Sequence, residues 1–488
     1  MPELNKKLQT LLKTIKQYNP KADLGLIELA YEFAKEAHTG QKRMTGEDYI
    51  NHPLATAQNL ADLKLTTPII IAGLLHDVPE DTSYTLEDVK KNFGEEVAGL
   101  VEGITKLGSI KYRGIERYIE NLRKMFIAMA TDLRVILIKF ADRLHNLKTL
   151  YALPRDKQIR IASEVLEIYA PIANRLGMYE MKGKLEEEAF KYLYPKEYNW
   201  LNSLVEKQIK AKEKYLAKII DFVKQELDSE DIKYLEVKGR VKQFYSLYIK
   251  LLEHDKDIDR VYDFIAIRII VADIPACYAV LGIIHKKMKP LKGRIKDYIA
   301  QPKPNGYSSL HTTVFTPDGE IIEIQIRTRQ MDEEAEYGIA AHWHYDEKGS
   351  IKPSKKNRWI EELTRWQKEL TENQKYLESL KIDVFRDRIF VFTPKGDVID
   401  LPKGATPVDF AYYVHSDVGT QCAGALINNH IASLDTPLKS GDVIQIITEK
   451  NRKYPSQDWL KFVKTNQAKA KIKSALAKRS LIEKFLKK

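Results

Sequence analysis

The hydrophobic period of this chain changes after the charged stretch that ends near Asp231, and that change constrains the fold more than any other feature. From Leu26 to about Tyr194 apolar residues recur at i, i+3, i+4 and i+7, as in LIELAYEFAKEAH and VILIKFADRLHNLKTLYAL. That spacing puts one face of each helix into a core, and strand-like alternation is nearly absent, so residues 1–195 are expected to form an all-α domain. A highly charged stretch follows, VEKQIKAKEKYLAKIIDFVKQELDSED, which reads as a solvated connecting helix. Beyond it the runs become β-rich: DFIAIRIIVA, HTTVFT and EIIEIQIRT, the last two joined by PDGE, a turn suited to a hairpin. Helical runs at YAVLGIIHKKM and MDEEAEYGIAAHWHY make residues 196–350, with the connecting helices, an α/β domain.

WIEELTRWQKELTENQKYLESL, within residues 351–384, reads as a helical linker. Residues 385–448 run strand (RIFVFT), turn (PKGD), strand (VIDLP), helix (TPVDFAYYVHSDV) and two more strands (GALINNHIA, DVIQIIT), the order of a small β-grasp module. Residues 449–488 form a basic tail. The chain carries a formal charge of +11, and 13 Lys or Arg against 3 acids fall in that tail, so the rest is near neutral. A nucleic-acid or anionic partner for the entire chain is therefore not implied. Trp459, Phe462, Val463, Ile472 and Leu476 among the tail lysines fit either an amphipathic helix on an RNA surface or a solvated or self-packing helix.

Cys277 and Cys422 lack a metal-binding or framework spacing, which fits a reducing compartment. The start, MPELNKKLQTLLKTIKQ, mixes charge with helical apolar spacing, and no run approaches 18 apolar residues. A soluble cytoplasmic protein with no membrane partner is the expectation.

Two groups of residues carry chemistry. In the helical region His52, the pair His76-Asp77 and Asp142 sit beside apolar residues. Imidazole with carboxylate suits Mn, Fe or Zn as divalent ions, and burial beside a metal accounts for acids in apolar helices. Asp142, Asn146 and Thr149 lie at i, i+4 and i+7 on one helical face. Glu80 and Asp81 follow His76 and Asp77 by four residues and are placed to orient an attacking water. The set resembles the HD-domain phosphohydrolases, in which His, His-Asp and Asp hold one divalent metal. Pro79 interrupts the helix there and is expected to re-aim the turn.

In the α/β region, VKGRVKQFYSLYIK gathers Arg240, Lys242 and Lys250 with Gly239 and Ser246, donors suited to a polyphosphate. Asp263 opens a strand, and Glu323, Gln325 and Arg327 alternate with Ile322, Ile324 and Ile326, so they share one polar face while the isoleucines enter the core. Two carboxylates facing cations can divide phosphoryl chemistry, one holding Mg²⁺ and the other accepting a proton. Between them GRIKDYIAQPKPNGYSSLH supplies Arg294, Lys296, Lys303, Asn305 and Tyr307, whose ring can stack on a base.

GRVKQFYSLYIK, YDFIAIRII, GRIKDYIAQPKPNGYSSLHTTV, EIQIRT and AEYGIAAHW, in this order, resemble the synthetase domain of the long RelA/SpoT homologues. Upstream ITKLG, ADRLHN and YAPIANRLGMYEMKGKLEE are similar to the hydrolase domain of that family, and the downstream module to its TGS domain. The likeness covers about residues 25 to 475 and implies an all-α HD hydrolase domain, a nucleotidyltransferase-like synthetase domain and a β-grasp TGS domain.

The resemblance implies pyrophosphate transfer from ATP to the 3′-hydroxyl of GDP or GTP, giving (p)ppGpp in the stringent response, and hydrolysis of that 3′-pyrophosphate. It assigns ATP to Arg240, Lys242, Ser246 and Lys250, Mg²⁺ to Asp263 and the role of base to Glu323. It stacks guanine on Tyr307, with Arg294, Lys296, Lys303, Asn305 and His311 around the acceptor. In the HD domain it gives Mn²⁺ to His52, His76, Asp77 and Asp142, water activation to Glu80 and Asp81, and substrate contact to Arg43, Asn146 and Thr149. RIKD, Arg294 to Asp297, is similar to the basic form of a signature that is acidic in synthesis-only members, which implies a bifunctional enzyme. HSDVG is kept, followed by Thr420-Gln421 where the family pattern has a His-Arg pair. The TGS module and tail imply ribosome or tRNA contact, and the end at Lys488 implies a C-terminally short form. The competing reading is a nucleotide-responsive or tRNA-responsive scaffold with one catalytic site silent.

Overall fold

A helix that is apolar on every side is stable only inside a bundle, and TPIIIAGLL is such a helix. The computed structural model describes residues 2–108, 131–261, 264–303, 305–343, 388–394, 398–439, 441–449 and 451–486. They belong to two units, residues 1–367 and 368–488. The first begins with α1 (Pro2–Tyr18), α2 (Leu24–Ala37), α3 (Asn51–Asp62), α4 (Thr67–Leu75), α5 (Val78–Asp81), α6 (Leu86–Gly108) and α7 (Arg134–Lys148). TPIIIAGLL is α4, buried from Ile69 to Leu75 against α2, α3, α6 and α7. A turn of π-helix, Val165–Tyr169, joins α8 (Arg155–Glu164) to α9 (Ala170–Arg175), and α10 (Tyr179–Leu193) closes the bundle.

Pro79 does not kink a continuous helix. The chain ends α4 at Leu75 and starts α5 with Asp77 as N-cap and Pro79 in the first turn. A missing N–H is no loss there, because first-turn N–H groups have no partner within the helix.

The connecting helix is α11 (Pro195–Ser229), and it is less solvated than its charge suggests. Ile219, Val223 and Leu227 are buried with the sheet of the α/β region, while Leu201 and Val205 pack with Phe190, Leu247, Leu251 and Phe264. The sheet comprises β1 (Glu236–Val241), β2 (Ile265–Val271), β3 (Lys296–Asp297), β4 (Leu310–Phe315) and β5 (Ile321–Thr328), in spatial order β1-β2-β5-β4-β3. β2 and β5 run parallel and the other neighbours antiparallel. The expected hairpin is β4 and β5, turned through Gly319 at φ 84°. Helix α12 (Phe244–Glu253) follows β1, α13 (Ile274–Lys287) follows β2, and α14 (Arg329–Tyr337) follows β5.

Ile267, Ile269, Ile322, Ile324 and Ile326 meet α11 and α13 on one face of the sheet, as the alternation requires. The opposite face holds Glu323, Gln325 and Arg327, but it is not open to solvent: Gln325 and Arg327 are each only 2% exposed. At these two positions the polar face is interior, while Glu323 is half-buried.

The second unit pairs β6 (Arg388–Phe392) with β7 (Val398–Pro402), then carries α15 (Pro407–Val414) and α16 (Ser416–Thr420). The expected single strand GALINNHIA is two, β8 (Cys422–Ile427) and β9 (His430–Ala432), because Asn428 and Asn429 adopt φ of 52° and 66° and turn the chain. β10 (Ile444–Thr448) pairs with β8, and a parallel bridge from Phe392 to Val443 joins the two sheets. The tail is α17 (Asn466–Leu486), preceded by a 3₁₀ turn. Trp459, Val463, Ala468 and Ile472 are buried with Val408, Ala411, Tyr412 and Cys422, so the tail's apolar face packs on its own module rather than on RNA. The helical linker read from WIEELTRWQKELTENQKYLESL lies outside the described residues, as does Asp263. Among the described residues no helix is long and apolar enough to cross a membrane.

Candidate active sites

Four elements of the helical region converge on one buried centre. His52 comes from α3, His76 caps the end of α4, Asp77 opens α5 and Asp142 lies on α7. Ligand atoms of His52, His76 and Asp142 all lie within 4.8 Å of one another, and the three residues are buried. Asp77 completes the group, with its oxygens 3.1 Å from His76 Nε2 and 3.4 Å from His52 Nε2. His76 Nδ1 is 2.9 Å from the Gly73 carbonyl oxygen, which aims Nε2 inward, where its one near neighbour, Asp77 Oδ1 at 3.1 Å, is not aligned for a hydrogen bond. A buried ring nitrogen with no aligned hydrogen bond, facing carboxylates, is what a divalent cation satisfies, so these residues fit a metal.

The electrostatics follow from crowding. Burial pushes the Asp77 carboxyl up, but the imidazoles of His76 and His52 outweigh it and hold it well below the usual carboxylate range. Asp142 is likewise held down, against burial, by Lys139, whose Nζ is 2.8 Å from Oδ2, and by His52. Burial opposes a proton on His76, yet Asp77 raises that ring to about 9. Burial pushes Glu80 up against the pull of Lys139. Asp81 accepts from the Tyr49 hydroxyl at 2.8 Å, and the same hydroxyl lies 2.9 Å from Asp77 Oδ2. Beside the centre, Arg43 donates to Asn146 at 2.7 Å and reaches Thr149 at 3.4 Å, so the three expected substrate contacts are brought together.

The second site lies on the polar face of the sheet. Lys250 from α12, Arg294, Lys296 from β3, His311 and Thr313 from β4 and Glu323 from β5 line one pocket with His254, Arg260 and Val261. Four permanent cations surround one carboxylate. Arg240 and Lys242 stand at the end of β1, and Ser246 on α12 lies 3.4 Å from the ammonium of Lys182, an α10 residue. Tyr307 is half-buried, with Tyr179 and Tyr298 rings at 5.3 and 5.9 Å and the Lys303 ammonium 4.9 Å from its centroid. Burial, then the neighbouring Lys296, lowers Lys303 to about 8, and burial also lowers His311 against Glu323. Asn305 donates to the Asn174 carbonyl at 3.1 Å and the Tyr179 hydroxyl at 2.6 Å, so its amide faces the helical region.

Three family descriptions match in sequence order: the HD domain at residues 30–179, the region found in RelA / SpoT proteins at 239–350 and the TGS domain at 389–448. The chain is 47% identical over 466 residues to a GTP pyrophosphokinase of Myxococcus xanthus, covering 94% of this chain and 61% of that one. It is 49% identical over 453 residues to a guanosine-3′,5′-bis(diphosphate) 3′-pyrophosphohydrolase of Aquifex aeolicus, covering 93% and 64%. With the bifunctional (p)ppGpp synthase/hydrolase SpoT of Escherichia coli it shares 44% identity over 472 residues, 96% of this chain and 67% of the relative. The chain belongs to the RelA/SpoT family. It spans somewhat over three fifths of the length of the first two relatives.

Within this RelA/SpoT chain several site residues escaped the sequence. His145 and Lys139 lie three residues to either side of Asp142 on α7, a spacing that could have drawn attention to them. His145 Nδ1 is 2.8 Å from His52 Nδ1, and burial followed by His52 and Arg43 pushes its ring down to about 3, so it is neutral. Tyr179 and Lys182 reach the α/β region from α10, contacts between distant parts of the sequence that no local pattern encodes.

Proposed function

We propose that this RelA/SpoT chain both makes and destroys (p)ppGpp, using the two sites for opposite reactions. The observation that carries the synthetic half is the pocket in which Lys250, Arg260, Arg294 and Lys296 surround Glu323. Such a pocket suits two polyphosphates and one base. Arg240, Lys242, Ser246 and Lys250 hold ATP, and Tyr307 stacks on the guanine of GDP or GTP while Lys296, Lys303, Arg294 and His311 flank the acceptor. Glu323 takes the proton of the ribose 3′-hydroxyl. The 3′-oxygen then bonds to the β-phosphorus of ATP as the bond from that phosphorus to the α,β-bridging oxygen breaks, and AMP leaves. Asp263 is the proposed Mg²⁺ ligand, outside the described residues.

At the other site His52, His76, Asp77 and Asp142 hold the divalent ion, and their mixed nitrogen and oxygen donors favour Mn²⁺ over Mg²⁺. The ion supplies positive charge and Lewis acidity at the phosphoryl group. Arg43, Asn146 and Thr149 bind the substrate, while Glu80 and Asp81 orient a water and accept its proton, releasing pyrophosphate. In the second unit, Lys464, Lys471 and Lys473 are exposed, which supports contact with tRNA or the ribosome through charge.

Glu323→Gln tests the synthetic half. It should abolish product formation while ATP binding stays near normal, and retained synthesis would remove Glu323 as the base.

A further inference from the structure

Five side chains, the base Glu323 among them, form a closed ring. Gln325 Nε2 donates to Glu323 Oε1 at 2.7 Å, and Arg327 Nη2 donates to Gln325 Oε1 at 2.9 Å. The same Nη2 lies 3.2 Å from the Tyr307 hydroxyl, that hydroxyl is 2.8 Å from His311 Nε2, and His311 Nδ1 is 3.4 Å from Glu323 Oε1. Arg327 is 2% exposed and faces Asp332 at 3.4 Å, so it is a buried cation that no nucleotide reaches directly.

The proton positions follow from donor chemistry. A guanidinium only donates, so the Tyr307 oxygen accepts from Arg327. An ionised carboxylate only accepts, so the His311 Nδ1 that faces Glu323 carries the hydrogen, and Nε2 of the neutral imidazole then accepts the Tyr307 O–H. Glu323 Oε1 is thereby held from both sides.

We propose that Arg327 is a positioning residue that ties the ring of Tyr307 to the Glu323 carboxylate, fixing one oxygen so that the other is aimed at the acceptor hydroxyl. The inference rests on the synthetic reading above. In that reading Tyr307 acts twice: its ring binds the acceptor base, while its hydroxyl sets the geometry of the proton acceptor. Arg327 has the forked donors needed to serve Gln325 and Tyr307 at once, which an ammonium does not.

The experiment uses the full chain and three variants, Tyr307→Phe, Arg327→Lys and the double. Tyr307→Phe keeps the stacking ring and removes only the hydroxyl. Synthesis kcat should fall about tenfold or more, with KM for GDP within about twofold. The double variant should lose no more than the worse single one, as expected of residues acting through one ring. A wild-type kcat for Tyr307→Phe, or an effect confined to KM, overturns the proposal. If Arg327→Lys melts early, Tyr307→Phe decides alone. Nitrogen-15 NMR of the imidazole, assigned by its loss in His311→Asn, gives a readout independent of turnover. The wild type should show the Nδ1–H tautomer and Tyr307→Phe should lose that preference; an Nε2–H wild type overturns the proposal even if the chain synthesises nothing. An inactive wild type with the expected tautomer instead removes the synthetic reading and leaves the ring standing.

Discussion

His52 and His145 face each other through their Nδ1 atoms at 2.8 Å. One ring must donate and the other accept. If Nε2 of His52 is to face a metal, its Nδ1 carries the hydrogen and neutral His145 is the acceptor, the role usually filled by a carbonyl or carboxylate behind a ligating histidine.

His145→Ala should therefore weaken Mn²⁺ binding by about 10- to 100-fold, read by titration calorimetry on metal-stripped protein. His145→Asn, which restores an acceptor oxygen close to the ring-nitrogen position, should recover much of the loss. Unchanged affinity in His145→Ala would mean that His52 is oriented by packing alone.

Asp142 also neutralises Lys139, an ammonium buried in the helical core. Asp142→Asn removes that charge and leaves Lys139 uncompensated, so in chelator the first unit should lose about 3–5 kcal/mol of stability. Adding Lys139→Met should restore most of it. Urea unfolding of both variants checks this, and a stable Asp142→Asn would show that Lys139 finds water.

How far these sites could be read in advance depends on which contacts are local. Helical period located α2 and α7 and put Asp142, Asn146 and Thr149 on one face, where Arg43 indeed meets Asn146 and Thr149. Strand alternation placed Glu323, Gln325 and Arg327 together, but alternation cannot say what covers a face, so the burial of Arg327 came only from the fold. Asn305 against Tyr179 spans 126 positions, and no pattern in either segment announces the other. The Asn428-Asn429 turn was legible in principle, because paired asparagines tolerate positive φ.

In the proposed synthetic reaction Lys303 makes acceptor binding depend on pH. Its ammonium is lowered to about 8 by burial and by Lys296, so it is charged below that pH and neutral above it. Affinity for the acceptor nucleotide should fall as pH rises through about 8, seen as a rising KM. In Lys303→Arg the guanidinium stays charged, and the rise should vanish. A KM that is flat with pH in the wild type would remove Lys303 from the phosphate contacts.

Asp409 holds the tail to the second unit. It is fully buried and accepts from Thr406 N and Oγ1 and from Lys464 N, Thr465 N and Thr465 Oγ1, all within 3.1 Å. Asp409→Ala should destabilise this unit by about 3 kcal/mol or more, since the donors left behind are buried. Truncation at Glu449 should do likewise. Charge reversal at Lys464, Lys471 and Lys473 is thus the cleaner test of tRNA contact: it should weaken binding and flatten its salt dependence while melting is unchanged.

The central claim is that one chain runs both reactions on the same nucleotide. ATP labelled at the β-phosphate, incubated with GDP, Mg²⁺ and the purified chain, should deliver its label to the 3′ position of a guanosine nucleotide. Mn²⁺ added to the ATP-depleted reaction should then release the label as pyrophosphate, and Asp77→Asn should block only that second step. Label that never reaches guanosine, or that stays there after Mn²⁺ while the wild-type fold is intact, would contradict the account.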